Sequence, residues 1–402
     1  MFNEARRAAW TEISTGNIRD NYHAIRALAP DSEMIACIKG DAYGHGIVKT
    51  ARELVREGVE YLGVATIEEA AALRNAGILT SIVLLSPAPR GDVEDVVSLG
   101  LIPVITANED AKLLSDAAVQ FNVKEKIPFL AALETGMGRL GYMPAPESID
   151  DIGALGALPG IRMLGIFSHF ATADEPDLKY AQKQLEAFLA FDMNLKAAGV
   201  DTGKRTMANS AAIIALPESH FEIVRPGITL YGIKPSDSGT IYGLPRRARP
   251  RDSMPGGIPP AESFEEPCLD LKPAMSVKAN IVFIKRVPPG FSVSYGRRYT
   301  TERESLIATL PIGYADGLPR AATGKARALV RGRYAPIVGT ICMDLCMADV
   351  TDIPGVTEYD EVVLLGEQGE NAITAEEIAV SSDTNSYEVV CRFGQRLPRI
   401  YV

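Results

Sequence analysis

A short stretch near the start of the chain, "MIACIKGDAYGHG" (34–46), carries side chains that could do chemistry. An apolar run ends in a single lysine, Lys39, and a turn-like cluster of glycines, an aspartate, a tyrosine and a histidine follows. A lysine amine that is partly removed from water has a lowered pKa and becomes a nucleophile. The pattern therefore indicates a catalytic lysine at the end of a buried strand, while an ordinary surface lysine at a strand end is the local alternative.

Eight apolar runs recur between Ser32 and Tyr231, and amphipathic segments such as "IVKTARELVREG" and "TIEEAAALRNAG" separate several of them. Alternating strands and helices predict a parallel sheet. Eight strands fit a (βα)8 barrel, which places its chemistry at the C-terminal ends of its strands. A doubly wound open sheet is the alternative, but no Gly-rich dinucleotide fingerprint follows the first run. The runs are "MIACIK", "YLGVAT", "SIVLLS", "IPVIT", "IPFLAAL", "MLGIFSH", "RTMANS" and "EIVRPGI".

The chain changes character after the eighth run. Residues 235–272 are rich in proline, glycine and charge, which predicts a linker or a long surface loop. Short β-like segments with frequent turns follow, and they predict a mostly β domain. We therefore expect an α/β fold with an N-terminal (βα)8 barrel over 15–234 and a C-terminal β domain over 273–402. Residues 1–14 are expected to add a strand to the second domain.

Size and charge exclude several classes of function. The 402 residues suit two domains, and the net charge of −10 argues against nucleic acid or an anionic membrane surface as a partner. No apolar run is long enough to span a bilayer, and the start does not read as a signal peptide, so we expect a cytoplasmic protein. Cys342 and Cys346 lie four apart without a second close pair, so no metal site is expected.

The stretch "IKGDAYGHG" resembles the pyridoxal-phosphate lysine motif of alanine racemases, usually written K-A-D-A-Y-G-H-G. The resemblance covers almost the whole chain, and the motifs come in the family's order. Nine ordered motifs are far more specific than one, so the chain is identified as a member of that family. The family's fold is a barrel followed by a β domain, as the pattern predicts. The other motifs are "ETGMGRLGY", "SHFATAD", "MANSAA", "VRPGITLYG", "VSYGRRYT", "LPIGYADGLPR", "VGTICMDLCMADVT" and "NSYEVVCRFGQRLPRIYV".

The resemblance implies a homodimer that interconverts L-alanine and D-alanine with pyridoxal 5′-phosphate. Moving a proton from one face of the substrate to the other calls for two bases on opposite faces of the cofactor–substrate adduct. The resemblance gives these roles to Lys39 and to Tyr295 from the other subunit. A free tyrosine has a pKa near 10 and needs positive neighbours to act as a base. By resemblance, His169 bonded to Arg225 and Arg139 beside the substrate carboxylate supply that help.

The remaining contacts are carried over in the same way. Arg225 faces the ring nitrogen and keeps it unprotonated, because arginine stays charged at any working pH. The phosphate needs N–H groups and hydroxyls near helix starts, although Ser210 could instead cap a helix. Met343 and Asp344 approach the substrate across the subunit boundary, and Tyr314 borders the entrance. The residues assigned to the phosphate are Tyr43, Asn209, Ser210, Gly227, Ile228 and Tyr387.

Three features depart from the family pattern. Many members carry a carbamylated lysine seven residues before the arginine of "GMGR", where this chain has Ala132. We hypothesise that a bound anion such as chloride takes the place of the carbamate beside Arg139. Gly40 replaces the usual alanine after the lysine. The 235–272 connection is longer than typical and is expected to lie in solvent.

Three other functions are the alternatives to alanine racemisation. A racemase for serine or for a broader range of amino acids differs only in entrance residues. A fold-type-III decarboxylase of basic amino acids would have an acid in place of Arg225. A non-catalytic pyridoxal-phosphate carrier would not need the C-terminal domain with Tyr295 and Met343. In the family the usual role is D-alanine biosynthesis for the peptidoglycan precursor.

Overall fold

The structure, a computed structural model, describes residues 7–235, 269–394 and 396–402. The chain begins with a strand, β1 (Ala9–Ile13), that belongs to the second domain. The next eight strands are parallel and close into a barrel in which β9 pairs back with β2. The predicted (βα)8 barrel is confirmed, and each of the eight apolar runs forms one strand. The barrel strands are β2 (Glu33–Cys37), β3 (Tyr61–Val64), β4 (Ser81–Leu84), β5 (Leu101–Ile105), β6 (Ile127–Ala132), β7 (Ile161–Phe167), β8 (Lys204–Asn209) and β9 (Ile223–Arg225).

Helices cover the outside of the barrel, which is why its strands are apolar on both faces. The two helices expected from apolar spacing are present as α3 and α4, and α4 begins after an N-cap at Thr66. One short segment, α2, is a turn of left-handed backbone rather than a normal helix. The elements are α1 (Thr15–Leu28), α2 (Lys39–Tyr43), α3 (Ile47–Arg56), α4 (Ile67–Asn75), α5 (Val93–Ser98), α6 (Asn108–Gln120), α7 (Pro146–Leu155), α8 (Lys179–Ala197) and α9 (Ser210–Ala215).

The inside of the barrel is a packed apolar core and not a pore. Its side chains form a cluster separate from the larger core between strands and helices. Ala132, the residue at the carbamylated-lysine position, belongs to this inner cluster and is fully buried. The cluster consists of Ile35, Val83, Ile102, Val104, Leu130, Ala132, Phe167 and Ile223. A filled barrel gives the strand ends above it a firm support.

The second domain is mostly β, as predicted, and is built on a ten-stranded sheet. β1 pairs antiparallel with β10 and parallel with β20, so residues from both ends of the described chain lie in one sheet. The strands are β10 (Met275–Asn280), β11 (Phe283–Val287), β12 (Ser292–Val293), β13 (Tyr299–Thr300), β14 (Ser305–Leu310), β15 (Arg327–Val330), β16 (Arg333–Val338), β17 (Cys346–Asp349), β18 (Glu361–Gln368), β19 (Asn371–Ile373) and β20 (Arg399–Tyr401).

Two helices, α10 (Ala375–Ser382) and α11 (Ser386–Arg392), precede the last strand and bring the second domain to the barrel. α11 lies against the α2 turn. Most of the predicted 235–272 linker lies outside the described residues. The division of the chain into 1–14, 15–234, 235–272 and 273–402 stays a prediction. Among the residues that the structure describes, no helix combines the length and the apolar character needed to cross a membrane.

Candidate active site

Lys39 lies just beyond β2, at the C-terminal end of the barrel. The following residues, Gly40 to Tyr43, all have positive φ angles, between 52° and 63°. Left-handed backbone costs roughly 1–2 kcal/mol for each residue that is not glycine. Asp41, Ala42 and Tyr43 therefore hold a strained conformation, which persists only where surrounding contacts enforce it. We call Lys39–Tyr43 the lysine turn.

His45 holds the far end of the lysine turn. Its Nδ1 lies 3.0 Å from the carbonyl oxygens of both Ala42 and Tyr43. Because carbonyl oxygens only accept hydrogen bonds, Nδ1 carries the proton. The ring is fully buried and stacks on Tyr231 at 4.4 Å between ring centroids. Burial lowers the pKa of His45 to about 4, so the imidazole is neutral near pH 7.

The C-terminal strand β20 reaches the lysine turn from the second domain. Arg399 forms an ion pair with Asp41 at 2.6 Å and donates a hydrogen bond to the carbonyl of Gly44 at 2.9 Å. The hydroxyl of Tyr401 donates to the carbonyl of His45 at 3.2 Å. The turn that carries the lysine is therefore held partly by the second domain.

Arg225, the last residue of β9, is a buried cation without a carboxylate partner in the described chain. It donates to the hydroxyl of Thr206 at 2.7 Å, to the carbonyl of Ser168 at 2.6 Å and to Nδ1 of His169 at 3.1 Å. It also lies over the ring of Phe167, 4.2 Å from the centroid. A guanidinium only donates, so Nδ1 of His169 is the acceptor and Nε2 carries its proton. Burial lowers the pKa of Arg225 to about 10, which leaves it charged at neutral pH.

Two further cations, Arg139 and Lys39, share this end of the barrel with Arg225. The pKa of His169 lies well below its usual value, chiefly because the ring is buried and also because these three charges are close to it. No carboxylate in the described ranges forms an ion pair with any of the three cations. His169 is therefore neutral, and the barrel mouth attracts anions in a protein whose net charge is −10.

The ends of β8 and β9 form a cup of polar groups. Ser210 Oγ accepts a hydrogen bond from the N–H of Gly227 at 2.8 Å. Asn209 is the N-cap of α9, because its side chain accepts from Ala212 N–H at 3.0 Å, so the alternative in which Ser210 caps the helix is wrong. A Cβ on Gly227 would lie 2.7 Å from the hydroxyl of Tyr43. Glycine therefore keeps the cup open between Tyr43 and the strand end.

Ile228 and Tyr387 complete this group. Ile228 begins a short 3-10 helix directly after Gly227 and is fully buried. Tyr387 lies on α11 of the second domain, with its ring 6.3 Å from that of Tyr43. The structure thus brings the expected cofactor residues together at one end of the barrel.

The remaining expected residues lie together on the second domain. The N–H of Tyr314 donates to the carbonyl of Cys342 at 3.0 Å, next to Met343. The hydroxyl of Thr340 donates a hydrogen bond to the carbonyl of Tyr295 at 2.8 Å. Tyr295 is 73% exposed, and its phenol makes no hydrogen bond to any described residue. The expected site residues therefore fall into two groups. The β-domain group consists of Tyr295, Tyr314, Met343 and Asp344. The barrel group lies at the C-terminal end of the barrel and consists of Lys39, Tyr43, Arg139, His169, Asn209, Ser210, Arg225, Gly227 and Ile228, together with Tyr387 of α11.

Asp316 supports the β-domain group, and the sequence analysis missed it. Its carboxylate is buried and accepts two hydrogen bonds from Arg7, at 2.5 and 2.8 Å, and one from Gly313 N–H at 3.0 Å. These contacts fix the turn that carries Tyr314. Asp344 pairs with Arg396 at 2.7 Å. The repeated small residues of "GYADG" indicate a turn, but nothing in the sequence points to Arg7 as its partner.

The loop that carries Arg139 is held through its backbone. The carboxylate of Glu134 accepts from the N–H of Gly136 at 2.5 Å and from the N–H of Arg139 at 3.0 Å. Burial alone would raise the pKa of Glu134, but the backbone N–H groups of residues 136–139 together lower it below its usual value. No carboxylate of the described residues pairs with the Arg139 guanidinium, so the bound anion expected near Ala132 stays a prediction.

These features are those of a two-domain barrel enzyme: the lysine lies at the mouth of a (βα)8 barrel, beside a neutral histidine bonded to a buried arginine, and a β domain supports it. Comparison with known proteins supports this class. The family models "Alanine racemase, N-terminal domain" and "Alanine racemase, C-terminal domain" match residues 13–235 and 274–401. The chain is 41% identical to alanine racemase 1 of Clostridium acetobutylicum and 40% identical to the alanine racemase of Clostridium novyi. Each match covers 98% of this chain and 96% of the relative.

Solved structures give the same result. The chain is similar to the alanine racemase of Clostridium difficile 630, with a TM-score of 0.86, 36% identity and coverage of 98% of this chain and 96% of that one. It is also similar to the alanine racemase of Streptomyces coelicolor A3(2), with a TM-score of 0.85 and 33% identity over 98% of each chain. The chain belongs to the alanine racemase family of enzymes, which confirms the resemblance stated from the sequence.

The left-handed backbone predicts a cost for restoring alanine at position 40. Gly40→Ala should lower the free energy of unfolding by about 1 kcal/mol, because alanine is strained at this φ while glycine is not. Activity should persist, since the new Cβ would meet only Cys391 Sγ at 4.0 Å. Gly91→Ala is the control, because Gly91 has no positive φ and open space around it. Denaturant unfolding measures both variants, and an equal or greater loss in Gly91→Ala would contradict the explanation.

The depressed pKa of His45 predicts a pH effect on stability. The unfolded chain protonates this histidine near pH 6.5 and the folded chain only near pH 4. The contribution of His45 to the free energy of unfolding is therefore complete above about pH 6.5 and declines as the pH falls below that value. Between pH 7 and pH 5 the loss should be about 2 kcal/mol. His45→Asn keeps a donor for the turn but does not titrate. Unfolding of both proteins at several pH values should show the difference narrowing toward pH 5, and a constant difference would count against a neutral buried His45.

Proposed function

We propose that the chain interconverts L-alanine and D-alanine with pyridoxal 5′-phosphate as its cofactor and with Lys39 and Tyr295 as the two bases. The observation that supports this most strongly is the barrel mouth, where Lys39 shares one site with the neutral His169–Arg225 pair. The three cations Lys39, Arg139 and Arg225 have no carboxylate partner among the residues that the structure describes. We infer that alanine is the substrate from the two relatives, because each is named an alanine racemase.

The residues of the barrel group fit a phosphorylated pyridine aldehyde. The hydroxyls of Tyr43 and Ser210, with the backbone around Gly227 and Ile228, suit a phosphate, and Gly227 leaves the space that a Cβ would fill. Asn209 fixes the start of α9, and Tyr387 closes the cup from the second domain. Lys39 supplies the amine that an aldehyde requires. When bound, the cofactor supplies an electron-withdrawing ring that acidifies the α-hydrogen of an amino acid.

Arg225 sets how strongly that ring can act. Its guanidinium keeps its own proton, because its pKa is about 10, and it would leave the nitrogen of a bound ring unprotonated. The ring would then be a weaker electron sink, which would limit transamination. His169 keeps Arg225 in place through Nδ1 and does not compete for the proton, because it is neutral.

Two proton carriers then suffice. Lys39 Nζ removes or returns the α-proton on one face, and the phenol oxygen of Tyr295 of the partner subunit does so on the other. Arg139 is positioned for the substrate carboxylate. The exposure of Tyr295 favours a homodimer with shared sites, in which the β-domain group of one chain completes the barrel group of another. Met343 and Asp344 then approach the substrate, and Tyr314 borders its entrance.

Racemisation in heavy water tests this function. The protein with pyridoxal 5′-phosphate should exchange the α-proton of L-alanine and produce D-alanine, followed by NMR and chiral chromatography. Lys39→Ala should lose at least about a hundredfold in both exchange and inversion, because it lacks both the amine that holds the cofactor and one of the two proton carriers. Tyr295→Phe should lose inversion by a similar factor while Lys39 still exchanges the proton on its own face.

The same experiment with L-serine, L-lysine and L-arginine separates the alternatives. Exchange with alanine alone supports the proposed function. Similar rates across the panel would indicate a racemase of broad range, and release of carbon dioxide from lysine or arginine would indicate a decarboxylase. Absence of exchange in protein that has bound the cofactor would overturn the proposal and leave a carrier.

A further inference from the structure

The loop after β2 is tied to the loop after β3 by one carboxylate. Glu69, in the first turn of α4, accepts from the N–H of Gly40 at 2.6 Å and from the N–H of Asp41 at 3.3 Å through Oε1. Its other oxygen, Oε2, accepts from the N–H of Ala65 at 2.9 Å. A half-buried acid thus contacts the first two peptide groups after Lys39.

An ordinary helix cap does not account for this geometry. Thr66 is the N-cap of α4 and accepts from the N–H of Glu69, as in a capping box. In that motif the acid at the third helical position reaches back to the N–H of the N-cap residue itself. Here the two oxygens are bonded to Ala65 and to Gly40, which lies 29 positions away. The carboxylate therefore serves the lysine turn as well as its own helix.

The contact with Gly40 bears directly on Lys39. The N–H of Gly40 belongs to the same planar peptide unit as the carbonyl of Lys39, so fixing one fixes the orientation of the other. Glu69 therefore holds the beginning of the lysine turn, and His45 holds its end at Ala42 and Tyr43. Lys39 and the Tyr43 hydroxyl lie at opposite ends of this turn. The distance between the amine and the phosphate cup depends on both contacts.

We propose that Glu69 is a positioning residue that, together with His45, holds the lysine turn in its left-handed conformation and places Lys39 for reaction. This inference rests on the proposed function, in which Lys39 carries the cofactor and moves a proton. Reacting groups must be held closely to their productive geometry, so a small displacement of the Lys39 backbone slows the reaction even when substrate still binds.

The test compares Glu69→Ala with Glu68→Ala, an exposed neighbour in the same turn of α4. Glu69→Ala should lower kcat by about tenfold or more, as expected for the loss of charge-assisted hydrogen bonds, and leave KM for alanine within about twofold. Borohydride should fix pyridoxal 5′-phosphate to Lys39 more slowly, as read by peptide mass spectrometry. Hydrogen exchange of the 38–46 peptide should be faster. Glu69→Gln keeps one acceptor oxygen, which can serve Gly40 or Ala65 but not both, so it should recover part of each effect. Glu68→Ala should match the unaltered protein.

The inference is overturned if Glu69→Ala and Glu68→Ala give the same kcat, fixation rate and hydrogen exchange while the unaltered protein racemises alanine. It is also overturned if Glu69→Ala raises KM alone, because that would indicate a substrate contact. Should Glu69→Ala not fold, Glu69→Asp, whose carboxylate is one methylene shorter, is compared with Glu68→Asp by hydrogen exchange of the same peptide. Faster exchange in Glu69→Asp alone supports the inference, and equal exchange overturns it. Failure of the unaltered protein to bind cofactor or racemise alanine overturns the proposed function instead. The difference in hydrogen exchange of the 38–46 peptide between the Glu69 and Glu68 variants then still shows whether Glu69 holds the lysine turn.

Discussion

The guanidinium of Arg225 is a buried charge that no carboxylate of the described chain neutralises, and the site is organised around it. An unpaired buried charge is costly, so it persists only where dipoles or a ligand compensate it. Here the carbonyl of Ser168, the hydroxyl of Thr206 and the ring of Phe167 compensate part of the cost. Burial, together with the remaining positive potential, lowers the pKa of His169 and keeps it neutral, and the same potential favours an anionic group at the barrel mouth.

A second constraint comes from the backbone after Lys39. Three non-glycine residues in left-handed conformation are stable only because groups from other elements hold them. Glu69 comes from the barrel, and Arg399 comes from the last strand of the second domain. The second domain thus supports the lysine as well as presenting Tyr295. Barrel and β domain are therefore linked through the lysine turn, although their folds are separate.

The sequence predicts those features that depend on short-range patterns. The eight apolar runs are recognisable because strands buried on both faces need continuous apolar side chains, and the position of Lys39 follows from the end of such a run. That Asn209 and not Ser210 caps α9 was not predictable, because adjacent residues of both types can cap a helix. Contacts between distant positions leave no such pattern. Examples are Glu69 with Gly40, and Asp316 with Arg7, which lie 309 positions apart.

We propose that each chain carries two half-sites, the barrel group and the β-domain group, and that catalysis joins halves from two chains. Subunit mixing tests it most directly. Lys39→Ala and Tyr295→Phe are each expected to lose inversion, but a mixed dimer would contain one site with both residues intact. Random exchange gives half mixed dimers, so alanine racemisation should return to about a quarter of the unaltered rate. If dimers exchange subunits and no activity returns, both bases belong to one chain and the shared-site account is wrong.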